Sequence, residues 1–405
     1  AGACFTAAFG LTDSEDAQQQ VIWGLIQYKD NSVKLPTGVT ATEATAAKID
    51  LALSKVAALN GFTVTTDKTK IEVSAAGVYA IKAEETGFTY KTATAYVGFG
   101  EPYPTLTGAE VTAKKSPTSV DKTVADDDHV VAIGDIVTYT IEAYVPFIDA
   151  ANTDNRTFTI TDKITGADYY LAGPNSVNSV TMEGKDGQVG TIVVNEDGKG
   201  FTIDLRELVA DTANPNAGKK ITVTYTAKVK EVTVENKAGS HAAGVEYGGD
   251  NEPVKLFTGE LVLLKYGDGD LNNVLENAEF VLYKDGEEVP LTFTKQKDGK
   301  YKYAPDAEDA SATLVTDKNG MIWVEGLDVG SYHFEETKAP KGYSINTDGK
   351  TLTLTVEGDV ATAKLYNEGD LNDTKLNALP STGGIGTTIF TIGGCAIMIV
   401  AAGLF

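Results

Sequence analysis

Hydrophobic and polar residues alternate with a period of two through most of the chain. The alternation is clearest in five segments: 137–145, 156–162, 219–229, 259–266 and 350–356. These segments are rich in Thr, Val, Ile and Tyr, and Gly, Asn and Asp mark the turns between them. This pattern is typical of antiparallel strands. We therefore predict a mainly β protein built from tandem antiparallel β-sandwiches of the immunoglobulin-like kind.

One segment near the N-terminus departs from this pattern. Residues 41–61 have the apolar spacing of a helix, and Gly61 provides a stop signal. A helix beside a few strands predicts a mixed α+β N-terminal domain.

Linkers and changes of pattern divide the chain into five parts. We predict an N-terminal domain at 1–112, a middle domain at 113–256, a third domain at 257–369, a polar spacer with a sorting motif at 370–383, and a hydrophobic segment at 384–405. A chain of 405 residues is long enough for several domains.

The charge balance disfavours one class of binding partner. Against 34 basic residues stand 57 acidic ones, for a net charge of −23, which disfavours nucleic acid as a partner. Two Cys and three His, without paired spacing, predict no metal site and no disulfide framework. Phosphate-binding and nucleophile-elbow motifs are absent from the sequence, so we expect no cofactor and no enzyme.

Polar residues end three apolar rows in the middle domain. The alternation places Lys122 on the inward face of its strand, and it does the same for Asp162 and for Asn236.

The third domain repeats the arrangement. Lys265 shares a face with Leu261 and Leu263, Glu336 follows Tyr332 and Phe334 on another face, and Asn367 ends the face that carries Ala363 and Leu365. Both domains therefore have Lys on an early strand, an acid in the middle and Asn on the last strand.

A Lys, an acid and an Asn that are buried together suggest a covalent bond. Burial favours a neutral amine and a protonated carboxyl. The amine is then a nucleophile that attacks the Asn side-chain carbonyl and expels ammonia, which leaves a Lys–Asn isopeptide bond. Two other interpretations stay open at this stage: a Lys–carboxylate salt bridge capped by Asn, and strands whose inward face is misassigned.

The C-terminal segment predicts a surface location. Residues 384–405 carry no charge and would span about 33 Å as a helix, enough for a transmembrane helix. Directly before them lies a motif that resembles the LPxTG sorting signal of Gram-positive cell-wall proteins: Leu379, Pro380, Ser381, Thr382 and Gly383. This resemblance implies export, passage through the plasma membrane and attachment to the cell wall.

We expect both ends of the sequence to be incomplete. The family's signal ends in a short basic tail, and exported proteins begin with a signal peptide. The sequence contains neither.

The third domain carries a long motif of its own. Residues 332–343, YHFEETKAPKGY, resemble the YxLxETxAPxGY "E-box" of collagen-adhesin B-type (CNA-B) domains in Gram-positive pilins. The resemblance implies that Glu336 is the catalytic acid, Lys265 the amine and Asn367 the acceptor.

The middle domain resembles the isopeptide-forming domain of SpaA-type backbone (major) pilins. The segments VDKTV, FTITDKI and ENKA carry this resemblance. They imply Lys122 as the amine, Asp162 as the acid and Asn236 as the acceptor.

The resemblance also implies an acceptor lysine for polymerisation. In this family sortase cleaves between Thr and Gly of the sorting signal and joins the Thr to a Lys of another subunit. The corresponding segment here, 111–117, lacks the Tyr-Pro of the family motif. Counting along the motif favours Lys115; Lys114, or no acceptor at all, stays open.

Together these features predict the structural backbone subunit of a sortase-polymerised, wall-anchored pilus. The expected partners are sortase, other copies of the chain in a head-to-tail covalent polymer, peptidoglycan and host-surface or matrix ligands. The alternative is a wall-anchored adhesin, or a basal or tip pilin, with the same modules.

Overall fold

The computed structural model describes residues 1–67, 69–99, 105–248, 251–356 and 365–376. The chain forms two compact units, Ala1–His129 with Asp135–Phe257, and Val130–Gly134 with the chain from Thr258 onward. The prediction of a mainly β, multi-sheet protein is confirmed. The division of the first unit at residue 112 stays a prediction. The sorting motif and the predicted transmembrane segment lie outside the described residues, within which no helix has the length and apolar character needed to cross a membrane.

Helices open the first unit. They are α1 (Gly2–Ala8), α2 (Glu15–Lys29) and α3 (Ala46–Ala57). Helix α3 is the one predicted at 41–61, and it begins after Thr45, whose hydroxyl accepts a hydrogen bond from the Lys48 N–H. The pattern missed α2 because its first turns are polar and its apolar stripe covers only the second half. Val21 of α2 and Ala52 of α3 are buried in the core between the helices.

The rest of the first unit is a β-sandwich with smaller strand pairs. Its strands are β1 (Gly77–Ile81), β2 (Phe88–Tyr90), β3 (Ala93–Val97), β4 (Lys115–Pro117), β5 (Asp121–Val124), β6 (Ile136–Tyr144), β7 (Phe158–Thr165), β8 (Ala167–Tyr169), β9 (Asn178–Met182), β10 (Val193–Val194), β11 (Gly200–Asp204), β12 (Lys220–Val229), β13 (Thr233–Ala242), β14 (Val245–Tyr247) and β15 (Val254–Phe257), with helix α4 (Arg206–Val209) between β11 and β12.

Two sheets of this unit hold most of its core. One has the order β5-β6-β12-β8, with β9 also paired to β12; the other has the order β10-β11-β7-β13-β14, with β15 also paired to β13. Strands β1 and β3 pair, as do β2 and β4. Alternate residues of β6, β7 and β12 are buried, so the inward faces are those that the alternation predicted.

The second unit is another sandwich. Its strands are β16 (Gly259–Gly267), β17 (Asp270–Val274), β18 (Glu279–Lys284), β19 (Phe293–Lys295), β20 (Tyr301–Tyr303), β21 (Leu314–Val315), β22 (Met321–Leu327), β23 (Gly330–Lys338), β24 (Lys350–Leu354) and β25 (Tyr366–Asp373). The sheet β17-β16-β22-β20-β19 also carries β25, and the other sheet has the order β21-β18-β23-β24. Their inner faces bury Leu263, Phe280 and Phe334.

The last strand differs from the prediction. Strand β25 runs parallel to β16 and extends to Asp373, so the predicted spacer beginning at 370 starts inside a strand. Leu371 and Asp373 are buried there, which continues the alternation four residues beyond the predicted end of the domain.

Candidate functional sites

The sandwich of the first unit brings Lys122, Asp162 and Asn236 together. Lys122 lies on the edge strand β5 of one sheet, whereas Asp162 and Asn236 lie on neighbouring strands of the other. The register pairs Asp162 with Ala238, so Asn236 lies two residues further along the same face of β13. The side chain of Lys122 is 7% exposed and that of Asp162 is fully buried, as is Asn236. The predicted inward faces are therefore correct.

One hydroxyl connects the three side chains. The Lys122 Nζ lies 2.5 Å from Asp162 Oδ2 and also donates to the Tyr225 hydroxyl oxygen. The Asn236 Nδ2 donates to the same oxygen at 2.8 Å. The Tyr225 O–H in turn donates to Asp162 Oδ1 at 2.9 Å. The amine, the amide and the acid therefore meet at Tyr225, while the buried Asn236 Oδ1 has no hydrogen-bond partner.

Aromatic rings pack against the amine of this cluster. The Lys122 Nζ lies 4.9 Å from the ring centroids of both Tyr139 and Tyr225. Burial lowers the pKa of Lys122, although Asp162 opposes the shift, and burial raises the pKa of Asp162 against the opposing effect of Lys122. Both directions favour a neutral amine beside a protonated carboxyl.

Sequence reasoning missed Tyr225 and also Tyr169, whose hydroxyl donates to Asp162 Oδ1 at 2.8 Å. A signal for Tyr225 exists in the alternation. Ile221, Val223 and Tyr225 share the buried face of β12, so a polar-tipped ring ends an apolar row. A buried Tyr hydroxyl requires a partner, and that requirement points to the acid and the amide.

The second unit brings Lys265 and Glu336 together. Lys265 lies on β16 and Glu336 on β23 of the facing sheet, and both side chains are fully buried. The Nζ is 3.2 Å from Glu336 Oε2, which also accepts the backbone N–H of Asn346 at 2.7 Å. Burial raises the pKa of Glu336, against the opposing effects of the Asn346 N–H and Lys265.

The structure does not bring Asn367 to this pair. The parallel register places Asn367 beside Leu261, four residues before Lys265 on β16. Its side chain instead donates to the Thr353 carbonyl at 2.6 Å. Period-two alternation defines the face of β25 but not its register against β16. For this reason the sequence alone could not show that Asn367 lies too far from Lys265 to be its acceptor.

Asp373 occupies the place that the sequence assigned to Asn367. Its Oδ1 contacts the Lys265 Nζ directly, and its side chain is fully buried. The residue was missed because it lies in a segment read as a polar spacer. The sequence signal that could have found Asp373 is the alternation itself: Asp373 falls on the same odd-numbered positions as the buried Leu365 and Leu371.

The lysine predicted as polymerisation acceptor is exposed. Lys115 is the first residue of β4 and pairs with Tyr90 of β2. Its Nζ lies 3.8 Å from the centroid of the Phe88 ring and 3.6 Å from Glu85 Oε2, and its side chain is 45% exposed. The side chain of the neighbouring Lys114 is exposed as well. The contacts orient the Lys115 amine without burying it.

A groove of about 670 Å³ lies beside this lysine in the first unit. Glu85 and Phe88, which contact Lys115, both line it. The lining also includes Phe147 and Tyr247. Two residues that line the groove therefore also contact Lys115, which is the lysine predicted as acceptor. Over the ranges that the structure covers, no cluster of His, Cys, Asp or Glu forms a metal site.

Two family models match the C-terminal part of the chain. Residues 259–369 match the SpaA model, a prealbumin-like fold domain, and residues 372–405 match the model of the LPXTG cell wall anchor motif. Both models describe structural and anchoring segments rather than an enzyme. The predicted cell-wall location is thereby confirmed.

Two relatives that match more than half of the chain are fimbrial subunits. Fimbrial subunit type 2 of Actinomyces naeslundii is 24% identical over 62% of this chain and 45% of its own length. Fimbrial subunit type 1 of Actinomyces viscosus is 26% identical over 72% of this chain and 63% of its own length. The chain thus spans about half to two thirds of these relatives.

A solved structure shares the fold. The T6 backbone pilin of Streptococcus pyogenes serotype M6 superposes with a TM-score of 0.55 at 16% identity, over 85% of this chain and 92% of that one. Together the matches confirm the predicted resemblance to backbone pilins of Gram-positive bacteria.

Proposed function

We propose that this chain is the structural backbone subunit of a sortase-polymerised pilus anchored to the cell wall. The observation that carries the proposal is the buried cluster in which Lys122, Asp162 and Asn236 all bond the Tyr225 hydroxyl, because a covalent bond there would join the two sheets of a domain that must carry tension in a covalent fibre. The exposed Lys115 and the anchor motif supply the two ends of a head-to-tail polymer.

The buried cluster of the first unit supports an internal crosslink. Proton transfer within the Lys122–Asp162 pair gives a neutral amine and a neutral acid. The Lys122 nitrogen attacks Asn236 Cγ while the Asp162 O–H polarises the amide oxygen, and the C–Nδ2 bond then breaks. The departing nitrogen takes the proton lost by the amine, so ammonia leaves and Asp162 is regenerated. The chain performs this reaction once, on itself.

Tyr225 is well placed to assist this reaction. Its hydroxyl oxygen receives hydrogen bonds from both the attacking amine and the departing amide nitrogen, and its proton is directed at Asp162. It therefore holds the reacting groups in register and offers a path for the proton from Lys122 to the leaving group.

The intersubunit bond joins Thr382 to Lys115. Sortase cleaves the Thr382–Gly383 bond and transfers the Thr382 carbonyl carbon to the Lys115 Nζ of another copy, or to peptidoglycan at the base. The exposure of the Lys115 side chain supports it as the acceptor, since sortase and the sorting segment must reach its amine; Glu85 and Phe88, which contact it, also line a groove.

The test is polymer formation in cells that express the matching sortase. Lys115→Arg should abolish the ladder of covalent polymers on a denaturing gel and leave a wall-attached monomer. Lys114→Arg, the matched control, should leave the ladder intact. A ladder that persists in Lys115→Arg would overturn the acceptor assignment, and a wild-type chain that forms no ladder would favour the wall-anchored adhesin or accessory pilin.

A further inference from the structure

The buried cluster of the second unit differs in composition from that of the first. It contains one amine, Lys265, and two carboxyls, Glu336 and Asp373. The side-chain nitrogen of Asn346 points away and donates to a backbone carbonyl, and the amide of Asn372 is turned to the surface, where its Oδ1 accepts from Gly269 N–H. The group that faces the amine across from Glu336 is therefore a carboxyl.

Hydrogen bonds on both sides fix Asp373 in this place. The Asp268 N–H donates to the Asp373 carbonyl at 2.9 Å. The Gly269 N–H donates to Asn372 at 2.7 Å, and Asn346 donates to the Asn372 carbonyl at 2.8 Å. A slip that brought Asn367 to Lys265 would break each of these bonds as well as the pairing of β25 with β16.

Charge makes this cluster costly as an ordinary ion pair. One ammonium and two carboxylates in a dry site leave an uncompensated negative charge, and two buried carboxyl oxygens, Glu336 Oε1 and Asp373 Oδ2, have no hydrogen-bond partner. Buried charges of this kind destabilise a fold unless they are neutralised. Condensation of the amine with one carboxyl removes a charge of each sign and leaves a single carboxyl, which can hold a proton.

We infer that Lys265 forms an isopeptide bond with Asp373, expelling water rather than ammonia, with Glu336 as the catalytic acid. The inference rests on the proposed function, since it assigns the crosslink of the second unit. It replaces Asn367 as the acceptor and places the bond between the first and last strands of that unit.

The reaction balances within the three side chains. A proton passes from the Lys265 ammonium to Asp373, which gives an amine and a carboxylic acid. The amine attacks Asp373 Cγ, and protonated Glu336 donates to its oxygen. The C–O bond of the departing hydroxyl breaks, the proton lost by the nitrogen completes the water molecule, and Glu336 ends protonated as it began. Enforced proximity in a dry site favours this otherwise slow condensation.

Intact mass and peptide mapping of the full chain, produced without sortase, test the inference. The expected result is a branched peptide that joins Lys265 to Asp373 with a loss of about 18 Da, alongside a Lys122–Asn236 branch with a loss of about 17 Da. Asp373→Asn is the matched variant: the branch should form at the same residue, and its loss should change to about 17 Da because ammonia now leaves.

Two further variants separate the possible acceptors. Asn367→Ala should leave the Lys265 branch intact, and Asp373→Ala should remove it, with hydrogen exchange in β18 showing whether that variant is folded. A Lys265–Asn367 branch, or an unmodified Lys265 in the folded wild-type chain, would overturn the inference. If the Lys122–Asn236 branch and the polymer ladder are present in that case, the proposed pilus function stands without it.

Discussion

The Lys122–Asn236 crosslink should dominate the stability of the first unit. The bond would close a loop of roughly 115 residues, for which the chain-entropy relation gives about 5 kcal/mol of unfolding free energy. Lys122→Ala and Asn236→Ala each remove the same bond. The double variant loses it only once, so we expect the sum of the single losses to exceed the double loss by about 5 kcal/mol.

Hydrogen exchange followed by mass spectrometry measures the unfolding free energy of the first unit separately from that of the second. The chain has two compact units, so a single melting curve would mix two transitions. Peptides from β12 and β13, at the centre of the two sheets, report the global opening of the first unit. A loss of about 5 kcal/mol corresponds to an increase on the order of 10³ in the exchange rate of the slowest amides. Peptides from β22 serve as the internal control and should not change.

A small coupling energy would refute the reasoning. A non-covalent contact between neighbours couples by roughly 0.5–3 kcal/mol. If the cycle gives a value in that range and the wild-type mass shows no loss of ammonia, the cluster is a buried ion pair capped by an amide.

Three other predictions follow from the same geometry. Tyr225→Phe removes the hydroxyl that joins the reacting groups, so bond formation during refolding should slow about tenfold or more, seen as a lag in the loss of about 17 Da. In Asp162→Asn the bond should not form, so Lys122 stays free. Because burial lowers the pKa of Lys122, this amine binds fewer protons in the folded state than in the unfolded state. The unfolding free energy should therefore rise with pH between the folded pKa of Lys122 and its ordinary value, by up to about 1.4 kcal/mol per pH unit, and a further Lys122→Met change should flatten this profile in guanidinium titrations. Gly166→Ala should destabilise the first unit by about 3 kcal/mol in the same titrations, because φ is +77° and the added Cβ would lie 2.0 Å from the Thr233 carbonyl oxygen.

Most residues of the first buried cluster could be predicted from the sequence, because the face on which a strand residue lies depends only on its near neighbours in the chain. Inward faces follow from period-two alternation, and that alternation is enough to place Lys122, Asp162 and Asn236 on them. Tyr225 was missed because alternation treats its ring as one more apolar residue and ignores the hydroxyl.

In the second cluster, alternation alone could not identify every member, because the register of the last strand is not encoded locally. Lys265 and Glu336 were predicted correctly as neighbours, but the residue opposite them depends on how far β25 slides along β16. Every second residue of the last strand, Asn367 and Asp373 among them, satisfies the same alternation. Hydrogen bonds from Asp268 and Asn346, which are remote in the sequence, select Asp373.

The sequence by itself determined the β-rich class, the inward faces of the main strands and the anchor motif, since each depends on residues within a few positions of one another. Only the tertiary structure decided which side chains meet: the Tyr225 hydroxyl between amine and amide, the carboxyl of Asp373 against Lys265, and the groove beside Lys115. Strand register and sheet-to-sheet packing are set by many distant contacts together, and no local pattern encodes them.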